Sequence, residues 1–290
     1  MSEPSPSAYP TLPFLAWDTL WFQVAGTICN LRCTHCFISC SPANHTHGML
    51  TLESVSRYLR EAESLGVKEY YFTGGEPFMN RELFQILEAT LELGPATVLT
   101  NGLLLDARRC RRLKALESTT DYSLDLRISL DGWGSEDHDR IRGEGTFHRA
   151  MQGARNLWDA GLNPVFTVTE LAQGIASPAG RQRFLEQLRD FGISKPRLKA
   201  LSLFHMGSEA QRGRGYHPWE RLEASTPVNP EKLQCGSGRM VTSQGVYVCP
   251  ILIDTPAARM GQSLEEAQRP FVLAYPACHT CHVQGVTCRT

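Results

Sequence analysis

The chain has 290 residues, with 29 basic and 30 acidic side chains that give a formal net charge of −1, and ten cysteines. A chain of this length can bury a large core as one domain, or as one domain with a small appendage. Its balanced charge provides no global field for nucleic acid or an anionic membrane, so neither is expected as a partner.

Residues 1–17 are rich in Pro and Ser and lack the charged and apolar regions of a signal peptide. No uncharged apolar run approaches the roughly 18 residues that a membrane helix needs. We therefore expect a cytoplasmic protein, whose cysteines are more suited to metal binding than to disulfides.

Short apolar runs alternate with helical periods through the first two thirds of the chain. The runs that predict strands are 20–25, 69–72, 96–99, 124–130, 164–168 and 198–204. Apolar residues at three- and four-residue steps predict helices over 52–65, 83–93 and 147–161, with Thr51 and Asn80 as N-caps. This alternation predicts an α/β fold with a parallel sheet and right-handed crossovers, in which ligands gather at the carboxyl ends of the strands.

The first cysteine cluster follows the first predicted strand: Cys29, Cys33 and Cys36 have CX3CX2C spacing. Three thiolates can hold a [4Fe–4S] cube and leave one iron without a protein ligand, whereas electron-transfer cubes take four cysteines. Zinc is the alternative, although only Cys33 and Cys36 have the CX2C spacing that zinc favours. Cys40 could supply a fourth thiolate, but we expect it not to be a ligand.

A glycine pair follows the second predicted strand, in the segment Thr73-Gly74-Gly75-Glu76-Pro77. Glycines permit positive φ and a close backbone approach to a ligand. Together, this segment and the cysteine spacing resemble those of radical S-adenosylmethionine (SAM) enzymes. The resemblance implies an open partial (β/α)6 barrel in which SAM chelates the open iron. One electron from the cube then cleaves SAM to a 5′-deoxyadenosyl radical, which abstracts hydrogen.

The resemblance also implies a set of SAM-binding residues: His35, Gly74, Gly75, Glu76, Pro77, Ser129, Asp131 and Arg142. Segment 74–77 would hydrogen-bond the SAM amino group, and His35 would lie near the adenine. Ser129 and Asp131 would meet the ribose hydroxyls, and Arg142 would pair with the methionine carboxylate. The alternative for Asp131 is an Asp-Gly turn, and the alternative for Arg142 is a solvated surface position.

A second cysteine cluster lies near the C-terminus: Cys235, Cys249, Cys278, Cys281 and Cys288. Its first two cysteines flank a predicted hairpin of runs 239–242 and 246–248. This pattern resembles the auxiliary-cluster modules called SPASM and, in shortened form, twitch; five cysteines suit the shortened form. We expect Cys235, Cys249, Cys278 and Cys281 to close a second [4Fe–4S] cube, with Cys288 as a less certain ligand.

Two other metal sites remain open for this cluster. Two cysteine pairs could instead form a tetrahedral zinc site. Alternatively, Cys278, Cys281 and Cys288 could hold a cube with an open iron, as in the GTP cyclase of molybdenum-cofactor synthesis.

These patterns predict four segments: an N-terminal extension (1–17), a radical SAM barrel (18–206), a linker (207–234) and an auxiliary-cluster domain (235–290). The expected function is a radical SAM oxidoreductase acting on an unactivated C–H bond. The second cube would accept an electron, and a flavodoxin- or ferredoxin-type donor would supply the first. Because about 18 residues precede the first predicted strand, a small molecule or partner-delivered peptide is favoured over a captured leader peptide.

Two rival functions remain. A GTP-cyclase-like rearrangement enzyme would bind substrate at an open second cluster, with basic residues facing its phosphates: Arg197, Lys199, Arg212 and Arg214. A non-enzymatic iron–sulfur or zinc protein would bind metal without cleaving SAM.

Overall fold

The computed structural model describes residues 7–171 and 174–285. Its strands are β1 (Thr11–Leu12), β2 (Thr19–Phe22), β3 (Glu69–Phe72), β4 (Ala96–Thr100), β5 (Leu124–Ser129), β6 (Val165–Thr169), β7 (Arg197–Leu201), β8 (Gly238–Thr242), β9 (Gly245–Tyr247), β10 (Arg259–Gly261) and β11 (Phe271–Val272). Its α-helices are α1 (Leu52–Leu65), α2 (Leu83–Leu91), α3 (Ala107–Glu117), α4 (Ser135–Arg142), α5 (Thr146–Asp159), α6 (Pro178–Asp190), α7 (Ser208–Arg212) and α8 (Pro276–Gln284).

Strands β2 to β7 form the core sheet and pair in chain order, each parallel to the next. This confirms the predicted α/β fold with a parallel sheet and six barrel strands. Several strands end earlier than their apolar runs. Strand β2 ends at Phe22, although Val24 and Ala25 are fully buried in the loop that follows. The apolar run continues because these loop residues are also buried, so the predicted strand extended beyond the last hydrogen-bonded residue.

Helix α1 forms as predicted because both of its ends are capped. The Thr51 side chain accepts the Ser54 N–H, and Gly66 ends the helix in the left-handed conformation. The prediction of Asn80 as the N-cap of α2 is wrong, because Glu82 occupies that position. The Asn80 amide instead donates to the carbonyls of Val24 and Leu50. The Asn80 side chain thus links the turn after Met79 to both ends of the segment between β2 and α1.

The periodicity of the sequence did not predict helices α4 and α6. Helix α4 buries only His138, so its sequence carries no apolar stripe. Helix α6 buries Gly180, Phe184 and Leu188, which is a weak stripe on a polar helix. No helix in the described part of the chain is long and apolar enough to cross a membrane.

The predicted C-terminal hairpin is present as β8 and β9, which pair antiparallel. Strand β8 also pairs parallel with β2, so the core sheet continues through the hairpin to β10. The close approach requires Gly238, because a Cβ there would collide with the Thr19 hydroxyl. Strand β1 pairs with β11 in a separate two-stranded sheet. The predicted division at residue 235 therefore falls between segments that share one sheet, and it stays a prediction.

Replacing Phe22 by Ala tests the dependence of the fold on β2. Phe22 is fully buried, and its ring lies 5.5 Å from that of Phe72. We expect the free energy of unfolding to fall by about 3–5 kcal/mol, because a cavity would be left in the core. Leu15→Ala is the control, since Leu15 is 49% exposed and a change there should cost within about 0.5 kcal/mol. Denaturant unfolding of both variants measures the difference; equal losses would contradict this account.

Candidate functional site

The first cysteine loop lies at the carboxyl end of β2. Its base is closed by a parallel bridge between Ile28 and Ser41, in which the Cys29 N–H donates to the Ser41 carbonyl at 3.2 Å. Cys29, Cys33 and Cys36 all line one cleft, whose empty volume is about 1430 Å³ including space open to solvent. The structure therefore brings the three predicted thiols together at the end of the sheet where ligands bind.

The glycine segment packs directly against this loop. Gly75 and Glu76 donate their N–H groups to the carbonyls of Gly26 and Ile28, at 2.9 and 3.1 Å. A Cβ on Gly75 would collide with the Ile28 carbonyl, so no other residue fits without moving the loop. Gly74 and Gly75 also line the cleft. Their backbone thus lies beside the cysteine thiols, as a ligand-binding glycine loop requires.

Glu76 and Pro77 lie behind this surface. The Glu76 carboxylate is fully buried and accepts hydrogen bonds from the Thr100 hydroxyl and from the N–H groups of Phe78 and Asn101, at 2.7 to 3.1 Å. Burial raises the pKa of Glu76. Pro77 begins a short 3-10 turn. Both residues hold the glycine segment in place, and their direct contact with SAM stays a prediction.

Asn101 joins the site, although its sequence context was interpreted mainly as an Asn-Gly turn. Its side-chain amide donates to the Asn30 side chain at 2.7 Å and lies 3.9 Å from the Cys29 sulfur. It also lines the cleft. The position of Asn101 at the carboxyl end of β4 was the available signal, because side chains at that edge face the ligand site.

A buried charge network joins three predicted residues. His35 Nε2 lies 3.1 Å from Asp131 Oδ2, and Arg142 Nε donates to the same oxygen at 2.7 Å. The Thr169 N–H donates to Asp131 Oδ1 at 2.8 Å. Although burial alone would raise the pKa of Asp131, Arg142 and His35 hold it below its usual range. Arg142 also reaches to 3.9 Å from the Cys33 sulfur.

The predicted SAM-binding residues in this region differ in whether they reach the cleft. His35, Ser129 and Arg142 line the cleft, whereas Asp131 is fully buried behind them. Arg142 is therefore not a solvated surface residue, which was the alternative that the sequence left open. Since both Asp131 oxygens already accept hydrogen bonds, its contact with the ribose hydroxyls stays a prediction.

Cys40 lies beside the trio and also lines the cleft. A hydrogen bond from the Cys40 thiol lowers the pKa of Cys36 to about 6, and the Cys40 N–H donates to the Cys36 sulfur at 3.3 Å. Burial raises the pKa of Cys29 to about 12. The thiols of buried Cys29 and of half-buried Cys33 and Cys36 face one cleft and are the donor set of a three-cysteine cube, so the residues present fit that group.

The second cysteine cluster lines a different cavity, whose empty volume is about 530 Å³ including space open to solvent. Cys235 lies in a 3-10 turn before β8, Cys249 follows β9, and Cys278 and Cys281 lie one turn apart on α8. Burial raises the pKa of Cys235 to about 11 and that of Cys278 well above its ordinary value. Four thiols in a mainly apolar cavity also fit a cube. Cys288 lies outside the described residues.

Neither cysteine group forms a ready single-ion site. Within residues 7–171 and 174–285, no three His, Cys, Asp or Glu side chains are arranged to hold one metal ion.

The basic residues suggested for phosphate binding are not brought together at the cleft. Arg197 pairs with Asp125, Arg212 with Glu209 and Arg214 with Glu220. Lys199 also has an interaction partner. Among the described residues that line the cleft, the cationic ones are Arg127 and Arg142, with His35 beside them. Arg127 was not predicted; it is buried on β5, and its guanidinium lies 5.2 Å from the Tyr71 ring centroid.

The chain is similar to curated proteins of several activities. It is 30% identical over 169 residues to a probable GTP 3′,8-cyclase of Methanosarcina mazei, which covers 56% of this chain and 47% of that protein. It is 29% identical to the mycofactocin maturase MftC of Mycobacterium tuberculosis, covering 78% of this chain and 62% of that protein. The chain spans about half the length of the first of these relatives.

The structure is similar to that of native anSMEcpe with bound AdoMet and Cp18Cys peptide. The TM-score is 0.62 at 16% identity, covering 86% of this chain and 79% of that one. This likeness concerns the fold. A family model described as Radical SAM superfamily matches residues 24–172, which include the cysteine trio, the glycine segment and the buried charge network. The chain therefore belongs to the radical SAM superfamily.

Proposed function

We propose that this protein is a radical SAM oxidoreductase with an auxiliary [4Fe–4S] cluster that accepts an electron from the substrate. The observation that carries this proposal is a shared wall. Pro250 and Ile251 line both the cleft of the cysteine trio and the cavity of the second cysteine cluster. A substrate in the cleft would thus lie against residues that directly follow Cys249.

In this proposal the first site holds the cluster through Cys29, Cys33 and Cys36, with the backbone of 74–75 beside it. A cluster bound there would supply one electron for the cleavage of SAM to methionine and a 5′-deoxyadenosyl radical, and that radical would take a hydrogen atom from the substrate. The chain contributes orientation and exclusion of water. Arg142 supplies a cation facing the cleft, and buried Asp131 fixes its direction.

The cleft walls are suited to protecting such a reaction. Apolar side chains line much of it, including Leu31, Phe37, Leu99 and Phe204. Expelling water from a site prevents side reactions of reactive intermediates. The polar groups that remain lie at the carboxyl strand ends, where they can orient a cofactor.

In the second site, Cys235, Cys249, Cys278 and Cys281 would close a cube with no open iron. A closed cluster suits electron transfer, so its function would be to remove one electron from the substrate radical as a proton is lost. The mainly apolar lining of the cavity supports this arrangement because it offers few polar groups that would hold water beside the cluster.

The substrate class in this proposal is a peptide or a small molecule. Support for a peptide comes from a maturase among the relatives and from a structural neighbour bound to a peptide. We propose a flavodoxin- or ferredoxin-type protein as the reductant.

Because the relatives include GTP 3′,8-cyclases, a rearrangement enzyme is the rival to the oxidative function. The basic side chains that it needs are engaged by carboxylates outside the cleft, as described above for Arg197, Arg212 and Arg214. This pairing favours the oxidative function, because the three arginines suggested for the phosphates already bind carboxylates and do not line the cleft.

Replacing Cys29, Cys33 and Cys36 together by Ala tests radical generation. The reconstituted wild type should hold about eight irons per chain and negligible zinc. The triple variant should lose about half the iron and all 5′-deoxyadenosine formation with SAM and dithionite. Cys40→Ala is the matched control and should retain the full iron content and 5′-deoxyadenosine formation. If Cys40→Ala loses the first cluster while still folded, Cys40 is a ligand and the open-iron proposal fails.

Replacing Gly75 by Ala tests the glycine segment. The added methyl group would push this segment away from Ile28, so SAM affinity should fall at least tenfold, or about 1.4 kcal/mol. Gly134→Ala is the control, because a Cβ there meets nothing within 4 Å and the backbone is extended. Equilibrium dialysis with SAM at matched iron content provides the measurement. Unchanged affinity in Gly75→Ala would exclude this segment from SAM binding.

Replacing Cys249 by Ala tests the electron acceptor. Uncoupled 5′-deoxyadenosine formation should persist, whereas oxidised product should be lost once a substrate is known. Cys288→Ala should be milder, since four thiolates would remain. The reverse pattern would assign a three-cysteine open cluster and favour the rearrangement function. Finding one zinc and about four irons per chain would instead make the second site structural.

A further inference from the structure

Arg239 on β8 is a fully buried arginine beside the second cysteine cluster. Its guanidinium donates to four backbone carbonyls, those of Cys235, Gly238, Ala267 and Arg269, at 2.6 to 3.0 Å. It also lies 4.4 Å from the centroid of the Phe14 ring. The side chain is therefore fixed in place, and one of its nitrogens touches the backbone of a predicted cluster ligand.

The charge of this guanidinium is not neutralised by a carboxylate. Among the described residues, no Asp or Glu oxygen lies within 4.0 Å of Arg239, whereas other buried charges such as Asp131 have ionic partners. Arginine stays protonated in proteins, and an isolated buried charge is costly. Carbonyl dipoles reduce this cost, but they carry no net charge. The ionisable groups that act on Arg239 are the Cys235 and Cys249 thiols and the Arg269 guanidinium. Of these, only the thiols can become negative.

We propose that Arg239 is the fixed counter-charge of the auxiliary cluster and raises its reduction potential. This inference rests on the proposed function, because it requires a redox-active cluster at Cys235, Cys249, Cys278 and Cys281. A cube held by four thiolates carries a net negative charge, which grows when it is reduced. A nearby buried cation stabilises the reduced form more than the oxidised form. Arg239 thus acts as a positioning residue that makes the cluster a better electron acceptor.

The test is a redox titration of the reconstituted full chain, monitored by electron paramagnetic resonance. The variant with Cys29, Cys33 and Cys36 replaced by Ala shows which signal belongs to the second cluster. Arg239→Gln removes the charge and Arg239→Lys keeps it. Arg269→Gln is the matched control, because it removes an exposed positive charge from the residue whose carbonyl accepts from Arg239.

We expect the ratio of reduced to oxidised cluster at a fixed potential to fall about tenfold or more in Arg239→Gln, which corresponds to a shift of about −59 mV for one electron. Arg239→Lys and Arg269→Gln should stay close to wild type. An unshifted potential in Arg239→Gln would overturn the inference.

Arg239→Lys decides the question if Arg239→Gln does not fold or load iron. Normal loading and potential in Arg239→Lys would support the charge, since Lys cannot reproduce the forked hydrogen bonds. Loss of the cluster in Arg239→Lys would show that those hydrogen bonds matter rather than the charge. If the wild-type protein contains zinc and shows no second redox signal, the proposed auxiliary cluster does not exist. That outcome differs from a second cluster whose potential is the same in wild type and in Arg239→Gln.

Discussion

The pairing of β2 with strands on both of its sides is the constraint on which the site depends. On one side, β3 leads into the glycine segment; on the other, β8 belongs to the hairpin that carries Cys235 and Cys249. The first cysteine loop begins where β2 ends. Hydrogen bonds along one short strand therefore position the cysteine trio and the hairpin flanked by Cys235 and Cys249 relative to the glycine segment.

This arrangement explains why the two cavities share a wall. The chain leaves β9 at Tyr247, passes through Cys249 and continues as Pro250 and Ile251 between the cleft and the second cavity. Neither the Pro250 nor the Ile251 side chain carries a polar atom. This short segment therefore separates the two cavities while keeping them adjacent.

Apart from the parallel sheet, which the alternation of apolar runs predicted, the features that the sequence predicted are local. Cysteine spacing, the glycine pair, the Thr51 cap and the hairpin turn each depend on residues a few positions apart, and each is present in the structure. The missed features depend on distant partners. Asn80 is not the N-cap of α2, and its amide donates to the carbonyls of Val24 and Leu50. Asn101 joins the site because β4 brings it beside Asn30. No spacing rule encodes such contacts.

The two cysteine groups differ in how their buried charge is balanced. Beside the trio, Asp131 joins Arg142 and His35, so that network holds its own anion and leaves Arg142 directed at the cleft. Beside the second group, Arg239 meets carbonyl dipoles and has no carboxylate partner among the described residues. Asp131 thus already balances the charge of Arg142, whereas an anionic cluster at the second site would supply the balancing charge that Arg239 lacks among the described residues. In the proposed function, a fixed positive charge beside the auxiliary cluster would favour its reduced state, which is the state that an electron acceptor forms.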